Sequence, residues 1–276
     1  MRQNNNVLIV IPARYASTRL PAKPLQPIKG KPMVQRVAEI ADFVCKQNDN
    51  CRYVVATDHI DIENFCLNNN IHVVMTSESC RNGTERCREA ANKESEKPQL
   101  ILNLQGDNPL CPPWILQDII NEWKNDKIAS VFTGCVLLTW SEYRKMVETK
   151  KVTPYSGTTV LVDNKNYALA FSKTIIPTIR KQEEAQKANP DKSPVRRHVG
   201  LYAYTYEALE NYFSLEESIY EKGYTEGLEQ MRFIYNGLKI KLVEVDYRGR
   251  ETTSGVDSPE DILRVEEIIT KYGELI

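Results

Sequence analysis

Three cationic residues near the start of the chain could hold a polyphosphate. Arg14, Arg19 and Lys23 lie in a loop that follows a run of five apolar residues at 7–11. Guanidinium and ammonium groups form charge-assisted hydrogen bonds with phosphate oxygens. Because ligands of open α/β sheets bind beyond the carboxyl ends of the strands, this loop predicts a site for a nucleoside triphosphate.

Two aspartates stand in loops where a divalent cation could bind. Asp107 follows Gly106 just past the apolar run 100–102, and Asp257 precedes a helix start signal. Carboxylates, together with substrate phosphates, are the usual ligands of Mg²⁺. An alternative remains for each residue, since Asp107 could be an ordinary turn aspartate and Asp257 an ordinary acidic residue at a helix start.

Other polar residues could contact a substrate. The segment 81–86, which includes Arg86, opens a predicted helix whose first amide groups could face an anion or a base edge. The alternative for this segment is a capping loop with a solvated arginine. Strand alternation puts His198 and Tyr202 on one face, where His198 is equally compatible with a structural donor and a ligand contact.

Apolar runs alternate with amphipathic segments through the first half, which predicts a mostly parallel sheet covered on both faces. The predicted strands there are 7–11, 52–56, 71–75, 100–104 and 129–137, and the predicted helices are 33–47, 61–69, 84–93 and 114–124. The second half is less regular. It predicts a hairpin at 157–162 and 167–172, a mobile loop at 181–195, strands at 199–204 and 240–245, and helices at 226–236 and 259–272.

Bulk properties narrow the class of protein. The 276 residues suffice for one large α/β domain, and we predict a single domain over 1–276. The net charge of -1 argues against a nucleic-acid partner. The longest mostly apolar window, 128–140, is shorter than the ~20 residues of a membrane span, so no membrane partner is expected. Seven scattered cysteines and no secretory signal predict reduced thiols in a cytoplasmic protein.

Eight sequence blocks resemble those of the 3-deoxy-manno-octulosonate cytidylyltransferases, the CMP-Kdo synthetases. They occur in family order over nearly the whole chain. The blocks are IPARYASTRLPAKPL at 11–25, VATDH at 55–59, MTSESCRNGTER at 75–86, LNLQGDNPL at 102–110, YALAFSKTIIP at 167–177, RHVGLYAYT at 197–205, LEQMRFIYNG at 228–237 and GVDSPED at 255–261.

The resemblance implies a nucleotidyltransferase fold of the glycosyltransferase-A kind. This is a Rossmann-like, mixed but mostly parallel α/β sheet with a smaller sugar-binding and dimerisation subdomain, expected at about 150–215 of this sequence. The implied reaction is transfer of CMP from CTP to the anomeric hydroxyl of Kdo, with release of pyrophosphate, a Mg²⁺ cofactor and a homodimeric enzyme. The implied role is in lipopolysaccharide biosynthesis.

The resemblance also assigns residues. Arg14, Ser17, Arg19 and Lys23 would hold the triphosphate, and Arg86 and Gln105 would complete the nucleotide site. Asp107 and Asp257 would bind Mg²⁺ and, with Arg14 and Lys23, form the catalytic set. The sugar pocket would be lined by Arg180, His198, Tyr202, Glu229 and Gln230.

Four positions depart from the family pattern. Ala22 replaces a glycine and should therefore avoid positive φ. Asn108 replaces a glutamate, Thr159 a lysine and Lys173 an arginine, which loses bidentate recognition of a carboxylate. The changes at Thr159 and Lys173 leave open a related sugar, such as 8-amino-Kdo or a sialic-type acid. A non-catalytic nucleotide-binding homologue is the alternative from another functional class.

Overall fold

The first apolar run forms the centre of a parallel sheet. In the computed structural model, which describes residues 6–17, 19–251 and 255–276, Val7–Ala13 is strand β1. The run Val7–Ile11 is at most 1% exposed, and burial of each such side chain is worth roughly 1.5–3 kcal/mol. Burial on both faces explains why this strand is continuously apolar. Thr18 of the first sequence block lies outside the described residues.

Strands and helices alternate through the first half of the chain, as predicted. The strands after β1 are β2 (Pro27–Ile28), β3 (Lys31–Pro32), β4 (Cys51–Thr57), β5 (Val73–Met75) and β6 (Leu100–Asn103). The helices are α1 (Met33–Cys45), α2 (Ile60–Asn68), α3 (Gly83–Lys93) and α4 (Pro113–Asn125).

The second half contains more antiparallel pairing. Its strands are β7 (Val131–Thr139), β8 (Thr159–Val162), β9 (Ala168–Ser172), β10 (Lys192–Thr205) and β11 (Ile240–Glu244). Its helices are α5 (Trp140–Val152), α6 (Gln182–Ala188), α7 (Tyr206–Asn211), α8 (Met231–Tyr235) and α9 (Pro259–Tyr272).

The chain divides into two compact units. The first consists of Met1–Asn121, Leu201–Glu210 and Tyr247–Ile276, and the second of Glu122–Gly200 and Asn211–Asp246. In the first unit β1 pairs in parallel with both β4 and β6, and β4 pairs in parallel with β5. The last residues of β10 join antiparallel to β6. The prediction of a mixed, mostly parallel sheet is confirmed.

The second unit is built from a hairpin and a parallel pair. Strands β8 and β9 form the predicted hairpin, with Asn166 at φ 62° in its turn. Strand β8 pairs antiparallel with β10, and β11 pairs parallel with β7. The expected subdomain at 150–215 overlaps this unit except for Leu201–Glu210, which belongs to the first unit.

Three predictions in the second half were wrong or incomplete. The segment 181–195 is not one loop, because it contains helix α6 and the first residues of β10. Helix α6 buries none of its side chains, so it has no apolar stripe to reveal it. The helix expected at 226–236 is limited to α8, and α5 was missed since only Trp140 of it is buried.

None of the described helices is both long enough and apolar enough to cross a membrane.

Candidate active site

Loops at the carboxyl ends of β1, β5 and β6 surround a polar pocket in the first unit. Arg14 and Lys23 come from the loop after β1, Asn82 and Gly83 from the start of α3, and Asp107 from the loop after β6. Asp257, just before α9, completes the wall. The pocket thus gathers residues from distant parts of the chain at one edge of a parallel sheet, where such folds bind ligands.

The loop after β1 presents its cations to this pocket. The Arg14 side chain is exposed, and Arg19 pairs with a carboxylate oxygen of Asp257 at 3.0 Å. The Ser17 hydroxyl accepts a hydrogen bond from the Leu20 amide at 3.4 Å, within the same loop. Arg14 and Lys23 therefore line the pocket, while Ser17 helps to shape the loop that carries them.

Lys23 lies between the two predicted metal ligands. Its Nζ atom is 2.8 Å from Oδ2 of Asp107 and 3.1 Å from Oδ1 of Asp257. The Lys23 side chain is only 13% exposed, against 31% for Asp107 and 44% for Asp257. The single ammonium thus pairs with two carboxylates that would otherwise repel each other more strongly. The structure brings together three residues that the sequence analysis placed in the catalytic set, while their roles remain predictions.

A strained residue sets the position of Lys23. Ala22 adopts φ 49° and ψ 38°, and its carbonyl accepts a hydrogen bond from the Leu25 amide at 2.9 Å. The expectation that alanine avoids positive φ at this position was wrong. A left-handed residue is needed to turn the chain into the short 3₁₀ turn Lys23–Leu25, and the cost of about 1–2 kcal/mol is accepted for a non-glycine residue.

Two glycines allow the aspartate loops to approach each other. A Cβ atom on Gly106 would lie 2.3 Å from the Pro12 carbonyl oxygen, so only glycine fits between the loops after β1 and β6. A Cβ atom on Gly255 would lie 2.9 Å from Oδ1 of Asp107. The Val256 amide donates to the Asp107 carbonyl at 2.8 Å, which joins the two aspartate loops through their backbones.

Asp257 is held in place by the start of α9. Ser258 is the N-cap of this helix, and Ser258 and Asp261 form a capping box. The Asp261 carboxylate also accepts from the Asp257 amide at 3.0 Å. The acidic residue at the helix start is therefore Asp261, and the Asp257 side chain is left to Arg19 and Lys23.

The start of α3 faces the same pocket. Asn82 is the N-cap, and its side chain accepts from the Glu85 amide at 2.9 Å. A Cβ atom on Gly83 would lie 3.6 Å from the side-chain amide of Gln105, which places Gln105 against this helix start. Gln105 donates to Asn103 at 3.0 Å. Asn82 and Gly83 were part of a segment noted in the sequence but were not chosen as site residues.

Arg86 lines the pocket but is committed to protein partners. Its NH2 group is 2.7 Å from Oδ2 of Asp58, and its NH1 group donates to the Thr76 hydroxyl at 2.6 Å. The side chain is 4% exposed. Arg86 is therefore not the solvated arginine of the alternative reading. Asp58, its ion-pair partner, was not chosen from the sequence at all.

The predicted sugar residues are spread over both units. Arg180 is exposed and forms no ion pair with any residue that the structure describes. Glu229 is half-buried and Gln230 buried, immediately before α8. Tyr202 lies in the part of β10 that belongs to the first unit, opposite Asn103.

His198 is a half-buried histidine in the second unit. Its Nε2 atom is 2.9 Å from the Thr133 hydroxyl, and its ring packs edge-on against Phe171 with centroids 5.1 Å apart. Burial, with the charges of Lys173 and Arg197, lowers the pKa of His198 to about 3. Of the two readings left open, the contacts favour the structural one.

The departure at Thr159 has a local explanation, whereas nothing in the structure explains Lys173, whose bonds to Glu226 and Lys150 are made by its backbone. The buried Thr159 hydroxyl donates to the Thr174 carbonyl at 2.6 Å and accepts from the Ile176 amide at 3.1 Å. The Lys173 amide donates to Glu226, and its carbonyl accepts from Lys150 at 2.5 Å. A longer, charged side chain at position 159 would be buried and would need a new polar partner.

Comparison with known proteins defines the class. A family model described as Cytidylyltransferase matches residues 8–240, and the chain belongs to this family. A 3-deoxy-manno-octulosonate cytidylyltransferase of Maricaulis maris is 40% identical over 98% of this chain and 100% of its own length. The mitochondrial enzyme of the same name from Arabidopsis thaliana is 35% identical, covering 96% of this chain and 83% of its own.

Solved structures agree with this placement. A CMP:2-keto-3-deoxy-manno-octonic acid synthetase complexed with CTP superposes with a TM-score of 0.80 and 33% identity, covering 96% of this chain and 99% of that one. A cytidylyltransferase of Leptospira borgpetersenii gives a TM-score of 0.60 at 18% identity, which supports the fold alone. Within the cytidylyltransferases, the chain belongs with the 3-deoxy-manno-octulosonate enzymes.

Proposed function

We propose that this protein transfers CMP from CTP to the anomeric hydroxyl of 3-deoxy-manno-octulosonate and releases pyrophosphate. The observation that carries the proposal is the cluster of Lys23, Asp107 and Asp257 at the carboxyl edge of the sheet. It stands in a chain that resembles, over almost its whole length, an enzyme solved with CTP.

The basic loop binds the triphosphate in this proposal. Arg14, Arg19 and Lys23 supply fixed positive charge, which stabilises the departing pyrophosphate. Ser17 shapes the loop, and Gln105 with the start of α3 contacts the nucleotide. The nucleophile is the hydroxyl of the sugar, so no protein nucleophile is needed. Catalysis then consists of positioning and charge neutralisation.

The two aspartates suit a magnesium ion. Asp107 and Asp257 offer hard oxygen ligands, and the position between them is already held by the cationic Nζ atom of Lys23. A Mg²⁺ ion bound there would polarise the phosphate and lower the pKa of the attacking hydroxyl. Arg19 and Lys23 would then turn from the carboxylates toward the phosphates, which carry more negative charge.

We assign the residues of the sugar site from the family pattern. A ulosonic acid carries a carboxylate, which needs a fixed cation or oriented donors. Arg180 is the proposed cation, with Glu229 and Gln230 of the same unit as the proposed lining, whereas the contacts of His198 favour a structural role. Lys173 is a point charge on a flexible stem, which is a weaker match for a carboxylate.

The experiment is a substrate panel with purified protein. Each of CTP, UTP, ATP and GTP is incubated with Mg²⁺ and Kdo, and CTP is also paired with 8-amino-Kdo and a sialic acid. We expect CMP-Kdo from CTP and Kdo at a rate at least tenfold above every other pair. A faster reaction with another acid would keep the enzyme class and change the substrate. Binding of CTP without any product would favour the non-catalytic homologue.

We also propose that the protein is a cytoplasmic homodimer. The second unit carries exposed apolar side chains, among them Tyr155 and Tyr224, which are 78% and 79% exposed. Single exposed apolar residues are common on monomers, so the dimer is proposed from the family pattern. Sedimentation velocity of the full chain tests the dimer, with a monomer as the contrary result. The cytoplasmic location stays a prediction, since the Arabidopsis relative is named as mitochondrial.

A further inference from the structure

A carboxylate just beyond the end of β4 accepts a hydrogen bond from the backbone of the loop after β1. Asp58 follows Thr57, the last residue of β4, and its side chain is 12% exposed. Its Oδ1 atom accepts a hydrogen bond from the Tyr15 amide at 3.1 Å. Its Oδ2 atom pairs with Arg86 at 2.7 Å. One carboxylate thus joins the loop after β1 to helix α3.

Arg86 is held so that it can fix Asp58 in one orientation. The second nitrogen of its guanidinium donates to the Thr76 hydroxyl, which in turn donates to the Thr57 carbonyl at 3.0 Å. Arg86 is 3% exposed as a residue. A geometry that separated Arg86 from Asp58 would leave a buried charge without a partner, which is strongly unfavourable. The two side chains are therefore held in one orientation.

The neighbouring residue holds the same tyrosine through its ring. The rings of Tyr15 and His59 stack with centroids 3.6 Å apart and an angle of 13° between their planes. The His59 Nδ1 atom accepts from the Asp61 amide at 3.2 Å as the N-cap of α2, which orients the imidazole. Tyr15 is therefore fixed at its backbone by Asp58 and at its ring by His59.

Tyr15 stands directly after Arg14, whose exposed side chain lines the nucleotide pocket. The hydrogen bond to Asp58 is donated by the Tyr15 amide, which belongs to the peptide bond between Arg14 and Tyr15. A loop held at this point fixes the backbone from which Arg14 extends, so less conformational entropy is lost when the nucleotide binds.

We infer that Asp58 is a positioning residue for the nucleotide: it fixes Tyr15, and thereby Arg14, while Arg86 holds Asp58 and does not contact the nucleotide. This inference rests on the proposed function only in taking CTP as the ligand. It revises the assignment of Arg86 as a nucleotide-binding residue, because the positive charge of Arg86 is used to hold the Asp58 carboxylate.

The test uses CTP binding by calorimetry in the absence of sugar, together with the KM for each substrate. Asp58→Ala should weaken CTP binding and raise the CTP KM about tenfold or more, the effect of losing a hydrogen bond to a charged group. The Kdo KM should stay within twofold. Glu94→Gln, which breaks the Arg52–Glu94 pair at 2.6 Å in the same unit, is the matched control and should leave both KM values unchanged.

A double variant separates positioning from contact. If Arg86 acts only through Asp58, the Asp58→Ala/Arg86→Gln protein should bind CTP no more weakly than Asp58→Ala alone. A further tenfold loss in the double variant would place Arg86 on the nucleotide and overturn the inference. Binding of CTP by Asp58→Ala with wild-type affinity would also overturn it.

Two precautions keep these outcomes distinct. If Asp58→Ala does not fold, His59→Asn keeps an acceptor for the Asp61 amide but removes the ring beneath Tyr15. It should show the same selective loss of CTP affinity with an unchanged melting temperature, and wild-type affinity would contradict the anchor. If the wild-type protein itself fails to bind CTP, the proposed function fails first, before any variant is compared.

Discussion

The Nζ atom of Lys23 lies 2.8 Å from the carboxylate of Asp107, and the same atom reaches Asp257 at 3.1 Å. One cation thus occupies the point where two carboxylates, separated by 150 positions in the chain, converge. Because the group is mostly buried, this pairing is screened less than a surface ion pair. Arg19, which pairs with Oδ2 of Asp257 at 3.0 Å, supplies the second positive charge, so two cations face two carboxylates before any substrate enters.

Removal of the Lys23 charge should selectively impair binding of the nucleotide. We expect Lys23→Met to raise the CTP KM at least tenfold and to lower kcat, because an interaction with the triphosphate is lost and two carboxylates are left close together. Steady-state kinetics with CTP as the varied substrate measures this. Lys31→Met, which removes a surface partner of Glu39, is the control. Equal effects of the two variants would contradict the assignment.

Gly106 should tolerate no side chain. Gly106→Ala places a methyl group 2.3 Å from the Pro12 carbonyl oxygen, so the loops after β1 and β6 must separate. Overpacking of this kind costs typically about 1–3 kcal/mol, and activity should fall further because Asp107 moves with its loop. Chemical denaturation and turnover are measured together. Gly223→Ala, where a Cβ atom meets nothing within 4 Å, should change neither quantity.

Ala22 offers a stabilising substitution. Ala22→Gly removes the strain of a left-handed alanine at φ 49°, which stabilises the folded protein by about 1–2 kcal/mol. Glycine also raises the conformational entropy of the unfolded chain, which destabilises the folded protein by about 0.4–1 kcal/mol. The free energy of unfolding should therefore rise by up to about 1 kcal/mol, with the CTP KM within twofold. A lower free energy of unfolding would show that the turn is not strained by alanine.

His198 should make stability depend on pH below neutrality. Its pKa falls from the ordinary 6.5 to about 3 in the folded protein, since burial disfavours the imidazolium. The unfolded chain binds a proton first, so this contribution is complete above pH 6.5 and is lost as the pH falls toward 3. His198→Gln should lose less stability between pH 6.5 and 4.5, by up to about 1.4 kcal/mol per pH unit. Parallel denaturation curves for the two proteins would contradict this.

The sequence predicted the parts of the site that depend on strand ends. The apolar runs at 7–11 and 100–102 located β1 and β6, and Lys23 and Asp107 follow them at the carboxyl edge. It did not predict Asp58, because neither Tyr15 nor Arg86, at 43 and 28 positions away, is linked to it by any local pattern. That contact exists only once the strands are paired.

The sequence was misleading at two places, for two different physical reasons. At Ala22 the residue type argued against positive φ, but the turn that delivers Lys23 to two carboxylates requires it. In the segment 181–195 polarity and two prolines suggested a loop, yet residues 182–188 form an exposed helix with acidic residues in its first turn and Lys187 in its last. Such a helix is stabilised by the interaction of these charges with the helix dipole, which a search for hydrophobic periodicity does not detect.

The most direct test of the account follows the α-phosphate of CTP. CTP labelled at that phosphate is incubated with Kdo, Mg²⁺ and wild-type, Asp107→Asn or Asp42→Asn protein, and the products are separated. We predict that the label appears in CMP-Kdo with one unlabelled pyrophosphate for each, that Asp42→Asn matches the wild type, and that Asp107→Asn is at least about a hundredfold slower with an unchanged melting temperature. Label that remains in free nucleotide with the wild-type protein, or a near wild-type rate for Asp107→Asn, would contradict the account.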